Sequence, residues 1–430
     1  MEHSNESMEF VERVAALDMG KSAVVACVRV PHEDRPGRRR QEIREYATLS
    51  RSLLELADWL RCERVELVAM EATSDYWKPI FYLLEVQGFR CWLLNAKHVK
   101  NVPGRPKTDK LDAVWLAKVV ERGMCSPSLV QPKPIRQLRD VTRYRRSLIR
   151  ERTREKQRYE KLLEDAQIKL SPVISNIFGV SGREMLGALI AGRRNPKVLA
   201  RMARGTMRSK IAMLEEALTG HFEDHHAFLA QAMLAHIDAL SAQIAALDAR
   251  IATILDNTVS QHVERFDEIT GVGPTAAQEL IAEIGVDATR FPSAGHLVSW
   301  AKFAPIDRNS ATIKRGGATG HGNPWLAATL GEIVAAVSRT DTFLGERYRR
   351  LARRRGKNRA IVALGNSILT IIWHLLADPE AHYHDLGSDF YQSKINAQRR
   401  QRDLTRQLEQ LTGHKVTLVP RPVQPDHHIA

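Results

Sequence analysis

The stretch Val11-Glu12-Arg13-Val14-Ala15-Ala16-Leu17-Asp18-Met19-Gly20-Lys21-Ser22-Ala23-Val24-Val25-Ala26-Cys27-Val28-Arg29-Val30 decides how the front of this chain folds. Val11 to Leu17 runs into Asp18, and Ser22 to Val30 returns after Met19-Gly20-Lys21, the pattern of a strand, a tight turn and a second strand. Past the polar loop His32 to Arg40, Glu42 to Ala47 reads as a third strand. Ser50 stands where a helix cap belongs, with Leu53, Leu54, Leu56, Ala57 and Leu60 at helical spacing behind it. Val65 to Met70 is the next strand and stops at Glu71. Tyr76 to Val86 reads as helix and Phe89 to Leu94 as strand. A Pro/Gly loop, Val102 to Pro106, leads into Lys107-Thr108-Asp109-Lys110-Leu111-Asp112-Ala113. With Thr108 as cap, this last stretch opens a helix on which Asp109 and Asp112, three residues apart, share a face. The order of elements predicts an α/β domain with a mixed sheet.

Four acids stand at the boundaries of these elements: Asp18, Glu71, Asp109 and Asp112. Taken singly, an Asp after a strand is usually a turn residue. Strand ends in an open sheet converge on one edge, however, so acids from distant positions are expected to meet there. Carboxylates side by side repel unless a cation lies between them, either a lysine of this basic chain or a divalent metal. Four carboxylates around one or two Mg2+ (or Mn2+) ions form an arrangement that activates an oxygen nucleophile and stabilises a leaving oxygen at phosphorus.

Composition narrows the partner. The 430 residues carry 64 Lys plus Arg against 50 Asp plus Glu, a formal charge of +14, which points to a polyanion. Nucleic acid leads, with an anionic membrane surface behind it. No uninterrupted apolar run is long enough to span a bilayer, and the polar, acidic start Met1 to Phe10 is unlike a signal peptide. Cys27, Cys62, Cys91 and Cys125 are too scattered for a zinc cluster or disulfide framework, so a reducing cytoplasm is expected.

Pro132 to about Lys169 reads as a highly charged helix, with twelve basic and four acidic residues between Lys133 and Lys161. A solvated face is the bland reading; so lopsided an excess favours a phosphate-tracking surface, with Arg143, Arg146 and Arg150 on it. From Leu229 to Ile254, Leu229, Met233, His236, Ile237, Leu240, Ile244, Leu247, Ile251 and Ile254 keep nearly heptad spacing, which predicts a long helix paired with another, in cis or in a dimer. Ile269-Thr-Gly271-Val-Gly273-Pro resembles the turn of a helix-hairpin-helix, whose glycines allow close backbone approach to a phosphate; an ordinary helix-helix turn is the alternative. Arg347 to Arg359 holds eight basic residues in thirteen, Arg353, Arg354 and Arg355 among them, and no acid. Ile361 to Leu376 reads as a buried helix, and the chain beyond Asp378 as a weakly ordered polar tail.

At this point the chain resembles a family. Leu-Asp18-Met-Gly-Lys, Met-Glu71-Ala-Thr-Ser, Asn95-Ala-Lys-His-Val-Lys and Thr-Asp109-Lys-Leu-Asp112-Ala are similar to the DEDD-type, RuvC-like domain of transposases of the insertion sequence 110 group. Gly271-Val-Gly-Pro, Phe303-Ala-Pro, Gly322-Asn-Pro-Trp-Leu and Arg353-Arg-Arg-Gly-Lys-Asn-Arg-Ala resemble that group's C-terminal transposase domain. The resemblance implies a ribonuclease-H-like domain over 10–130, a basic helical, coiled-coil-like connector over 131–262, a mainly helical transposase domain over 263–378 and a polar tail over 379–430. It also implies that the four acids hold the metal and that a serine is the nucleophile.

Lined up on Ala304-Pro305 and Gly322-Asn323-Pro324, that serine falls on Ser310, followed by Ala311-Thr312-Ile313 and the basic glycine loop Lys314-Arg315-Gly316-Gly317. On its own Ser310 would be read as a turn serine. The resemblance implies DNA strands cut and rejoined through a phosphoserine, with Lys314 or Arg315 neutralising developing charge. Its partners would be the double-stranded DNA of element ends and target, a structured guide RNA used by several members, and further copies of the chain as a dimer or tetramer. The setting would be the bacterial cytoplasm, at the nucleoid when active, with no membrane. A metal-dependent, structure-selective nuclease using water and a non-catalytic nucleic-acid-binding protein are the competing readings.

Overall fold

A computed structural model describes residues 11–72, 74–95, 109–255, 257–305, 318–393 and 397–417. The chain divides into two compact units, Met1–Gln131 and Pro132–Ala430.

In the first unit, β1 (Val14–Met19), β2 (Ala23–Pro31) and β3 (Arg39–Ala47) form an antiparallel meander. Helix α1 (Ser50–Cys62) leads to β4 (Leu67–Glu71), α2 (Trp77–Val86) to β5 (Arg90–Leu94), and α3 (Asp109–Glu121) closes the unit. The five strands lie in the order β3-β2-β1-β4-β5, with β4 parallel to both β1 and β5. The order of elements is the one expected, a mixed α/β sheet; only the ends differ by a few residues, and α1 starts at Ser50 itself with Leu49 in the cap position.

Period-two alternation splits the sheet into two packed faces. Leu17, Val68 and Met70 face a core with Leu56 and Leu60 of α1 and Ile80 and Leu84 of α2. Val14, Ala16, Leu67 and Ala69 face the other way, against Ala113, Leu116, Ala117 and Val120 of α3. The far end of α3 is pinned by buried Glu121, which accepts from Arg29 Nε of β2 at 2.7 Å and also from Arg39 of β3.

The second unit is helical among its described residues. Helix α4 (Lys133–Asp165) runs for 33 residues; α5 (Val180–Ile190), α6 (Pro196–Ala200) and α7 (Ile211–Ala217) follow, and α8 (Asp224–Ile254) is 31 residues long. Leu148 and Ile149 of α4 pack against Leu240, Ile244 and Leu247 of α8, so much of the near-heptad row is covered in cis. Helices α9 (Asn257–Asp267) and α10 (Pro274–Ile284) flank the turn through Gly271, and α11 (Ala294–Trp300), α12 (Pro324–Val337), α13 (Phe343–Arg355) and α14 (Lys357–Ala377) complete the packed part.

Helix α14 is long and apolar enough by composition to cross a membrane. Its Leu364, Ile368, Leu369, Ile372 and Leu375 are buried, however, and Asn366 Nδ2 donates to the Phe303 carbonyl at 3.2 Å, as befits a core helix. The segment read from sequence as a weakly ordered tail contains α15 (Phe390–Ser393) and α16 (Ala397–Thr412). The helical signal of α16 is Leu404, Leu408 and Leu411, spaced four and three apart, which a Gln/Arg-rich composition obscures.

Gly271 shows what the turn before α10 requires. Its φ is +83°, and a Cβ there would stand 2.5 Å from Val337 Cγ2 and 3.3 Å from the Ile333 carbonyl oxygen of α12. The close approach that the sequence suggested for a phosphate is made here by the protein itself. Gly271→Ala is expected to lower the free energy of unfolding by about 1–3 kcal/mol through overpacking and backbone strain. Urea denaturation measures it, and a midpoint equal to that of the parent chain would contradict the packing described.

Candidate functional site

Alternation along β1 and β4 places the first two acids. Since Ala16 and Ala69 face α3, Asp18 and Glu71, two positions further on, face α3 as well. The parallel register pairs Leu17 with Met70, so Asp18 and Glu71 follow as neighbours across strands spaced about 4.8 Å apart. Glu71 is 8% exposed and Asp18 half-buried.

Asp112 is half-buried on α3, beside Ala113 and one turn before Leu116, both of which lie against the sheet. Asp109 is the first residue of α3; its side chain lies outside the described set, as do Ser310, Lys314 and Arg315. The structure therefore brings Asp18, Glu71 and the Asp112-bearing end of α3 to one sheet face. The donors are all carboxylate oxygens, from two strands and a helix fixed at its far end by Glu121, and one is nearly buried. Such a set fits a hard divalent cation such as Mg2+ or Mn2+. Cys27, in the same packed layer, offers no thiolate at neutral pH, because burial pushes its thiol up to about 11.

The basic residues of α4 sort into two sets. Arg146 is buried, its guanidinium donating to Glu279, to Thr329 Oγ1 at 3.0 Å and to Glu332. Arg143 makes a two-pronged pair with Glu283, 2.7 Å at each contact. Both guanidiniums are ion-paired and tie α4 to α10, Arg146 reaching α12 as well; Arg146 is buried, so the phosphate-tracking face expected from sequence does not run through it, whereas Arg143 stays half-buried beside its carboxylate. Arg150 is exposed and lies 5.6 Å from the Trp325 ring. It begins an exposed row, Arg150, Arg154, Arg158 and Lys161, whose spacings of four, four and three keep it on one side of the helix over about 16 Å.

The second basic cluster sorts the same way. Arg347 donates to Ser367 and Tyr391, both at 2.9 Å, and Arg349 to the Thr340 carbonyl at 2.8 Å. Arg353, Arg354, Arg355, Lys357 and Arg359 are exposed at the corner between α13 and α14, where Gly356 turns the chain at φ +85°. Gly273 precedes α10 in extended conformation, and a Cβ there would meet nothing within 4 Å.

One group of potential ligands escaped the sequence reading: Asp165, His225 and His226, from the end of α4 and the start of α8. His226 Nδ1 accepts the Glu223 backbone N–H at 3.1 Å, so in the neutral ring Nε2 carries the proton and donates to Asp165 at 3.2 Å. That is the chemistry of a helix cap, and only the approach of two distant helices reveals it.

Comparison with known proteins places two blocks of the chain. A model for DEDD transposases of the IS110 type matches residues 15–168, and one described as transposase IS116/IS110/IS902 family matches residues 263–349. The first block contains Asp18, Glu71, Asp109 and Asp112; the second contains Ser310. The chain is also similar to a Streptomyces coelicolor protein named insertion element IS110 uncharacterized 43.6 kDa protein, at 28% identity over 163 residues. That match covers 37% of this chain and 37% of the relative.

The division of the α4 arginines has a measurable consequence. Arg146→Met leaves buried Glu279 without its nearest cation, with only Arg145 at 4.0 Å, and is expected to cost about 3–5 kcal/mol of stability. Arg154→Ala, on the exposed row, is expected to stay within about 0.5 kcal/mol of the parent. Equal losses in chemical denaturation would overturn the assignment of inner and outer sets.

Proposed function

Because the chain belongs to the insertion sequence 110 family of transposases, we propose that it is a DNA transposase that cuts and rejoins DNA strands through a phosphoserine on Ser310, assisted by a divalent metal held by Asp18, Glu71, Asp109 and Asp112, the two meeting within one chain or across copies of it. The observation that carries the metal reading is the placement of Asp18 next to Glu71 at the ends of neighbouring parallel strands, on the face crossed by α3. The strand order β3-β2-β1-β4-β5 supports a ribonuclease-H-like assignment for this unit. Mg2+ or Mn2+ bound there supplies polarisation of the scissile phosphate and support for the attacking or leaving oxygen.

The remaining chemistry belongs to the chain. Ser310 Oγ attacks phosphorus; the O–P bond to serine forms as the bond to the leaving strand breaks, and the proton given up by serine balances the hydroxyl created on that strand. Lys314 or Arg315 neutralises charge developing on the phosphoryl oxygens. The phosphodiester to serine retains the energy of the broken bond, so a second strand's hydroxyl reverses the step without ATP. Partners in this reading are duplex DNA at element ends and target, a structured RNA that pairs with both, and further copies of the chain in a dimer or tetramer in the bacterial cytoplasm. The exposed row Arg150, Arg154, Arg158 and Lys161 and the corner Arg353 to Arg355 supply phosphate contacts.

Ser310→Ala is expected to abolish the covalent protein-DNA adduct and strand exchange on element-end DNA. Asp18→Asn should slow adduct formation at least about a hundredfold, and chelation of divalent ions should do the same until Mg2+ or Mn2+ is restored. Cutting that persists in Ser310→Ala, with water as nucleophile, would replace the transposase reading with a nuclease one. Alanine at Arg154 or Arg158 should each reduce the slope of log affinity against log salt by about 1.

A further inference from the structure

The stretch Arg193-Arg-Asn-Pro-Lys197-Val-Leu-Ala-Arg201-Met-Ala-Arg204-Gly-Thr-Met-Arg208-Ser-Lys210 holds seven basic residues and no acidic one. It lies between the two blocks that match transposase models, 15–168 and 263–349. From the end of α5 it runs through α6 and a 3-10 turn, Gly205–Lys210, to the start of α7.

Three of the seven cations hold this part of the chain in place. Arg204 pairs with Glu184 of α5 at 2.8 Å, and its backbone N–H donates to Ser181 Oγ at 3.0 Å. Lys210 Nζ donates to the Val173 carbonyl at 2.8 Å. Arg194 donates to the Leu189 carbonyl, and its guanidinium lies 5.1 Å from the Phe222 ring centroid. Beneath them Leu199, Ala200 and Ala203 are buried in a core with Met185, Leu189 and Leu214.

The other four, Arg193, Lys197, Arg201 and Arg208, are exposed, and none has an ion pair or a side-chain hydrogen bond among the described residues. With Leu199, Ala200 and Ala203 turned inward, Lys197 and Arg201 fall on the outer side of α6, about 6 Å apart along its axis. Lys197 shares the open groove between α6 and α7 with Glu215 and Glu216, which offset its charge. Even the exposed row of α4 is less free, since Arg154 has Glu151 at 4.0 Å and Arg158 has Glu155 at 2.8 Å. Clustered cations without partners repel one another and add nothing to the fold, so an external anion is what they suit.

We propose that Arg193, Lys197, Arg201 and Arg208 form a further DNA-binding surface, which grips the phosphate backbone of a duplex without reading its sequence. The stretch contains no aromatic residue on which an unpaired base could stack, as recognition of single strands requires. Its single amide side chain, Asn195, caps α6 by accepting the Lys197 backbone N–H at 3.0 Å, which leaves charge as the means of recognition. The choice of DNA as the anion rests on the transposase reading; the surface itself does not.

The test is equilibrium binding of the full chain over a series of salt concentrations, with divalent ions chelated so that no strand is cut. The probes are duplex DNA of the element's own ends, duplex DNA of unrelated sequence, and duplex RNA. Arg201→Ala combined with Arg208→Ala is expected to reduce the slope of log affinity against log salt by about 2, equally on both DNA duplexes. At about 0.1 M salt, affinity for each should fall about ten- to a hundredfold. The melting temperature should stay at the parental value, because neither side chain has a partner to lose. Arg201→Lys combined with Arg208→Lys keeps both charges and should keep the parental slope.

An unchanged slope in the alanine pair would overturn the proposal, as would a loss confined to one DNA sequence or to duplex RNA. Should that pair not fold, Arg193→Ala combined with Lys197→Ala must lower the slope by itself, and no change there would be equally decisive. Failure of the parent chain to bind duplex DNA in a salt-dependent way would remove both the DNA partner of the transposase reading and this surface. A steep parental slope that the alanine pair leaves untouched removes the surface alone.

Discussion

Two carboxylates on neighbouring parallel strands of one sheet face constrain the first unit more than any other feature. The pairing of Leu17 with Met70 makes Asp18 and Glu71 neighbours, and at strand spacing two like charges favour whatever cation the surroundings admit. The surrounding architecture serves that placement. Leu17 and Met70 lock their strands onto α1 and α2 from beneath, while Ala16 and Ala69, being small, let α3 pack close enough to bring Asp112 toward the same face. Glu121, held by arginines of β2 and β3, fixes the direction of α3 from its far end.

In the second unit the governing fact is how arginine is divided between inside and outside. A long helix with twelve basic residues between Lys133 and Lys161 would repel itself and everything near it if all of them faced one way. Arg143, Arg145 and Arg146 instead meet Glu283, Asp248, Glu279 and Glu332, and in doing so join α4 to α8, α10 and α12. Arg150, Arg154, Arg158 and Lys161 stay exposed in a row at helical spacing, a better match to a phosphate backbone than a uniformly charged cylinder. The net charge of the whole chain, +14, is therefore a poor guide to which cations are free to meet a partner.

How much was legible beforehand follows from what kind of signal each feature leaves. The sheet domain could be read because its strands are short apolar runs bounded by Gly20, Glu71 and polar loops, and their order admits few topologies. Asp18, Glu71 and Asp112 were legible because each ends or opens an element. Arg146 was misplaced onto a surface, and the ion pair of Arg143 was not foreseen, because their acids lie more than 130 residues away in sequence, and composition cannot show that a charge is paired. The Asp165, His225 and His226 group was invisible for the same reason. Asn323 showed itself only as part of Gly322-Asn323-Pro324; that its amide oxygen caps α12 while its nitrogen donates to Glu283 is a fact of three dimensions. The leucines of α16 were available in the sequence and were outweighed by the Gln and Arg around them.

The account turns on the claim that the acids of the first unit hold a divalent metal, and one measurement addresses it directly. Crystals of the full chain soaked in Mn2+ should give an anomalous peak within about 2.0–2.3 Å of carboxylate oxygens of Asp18 and Glu71, with Asp109 or Asp112 completing the set. A single peak at Asp165, His225 and His226, or none near the ends of β1 and β4, would contradict it.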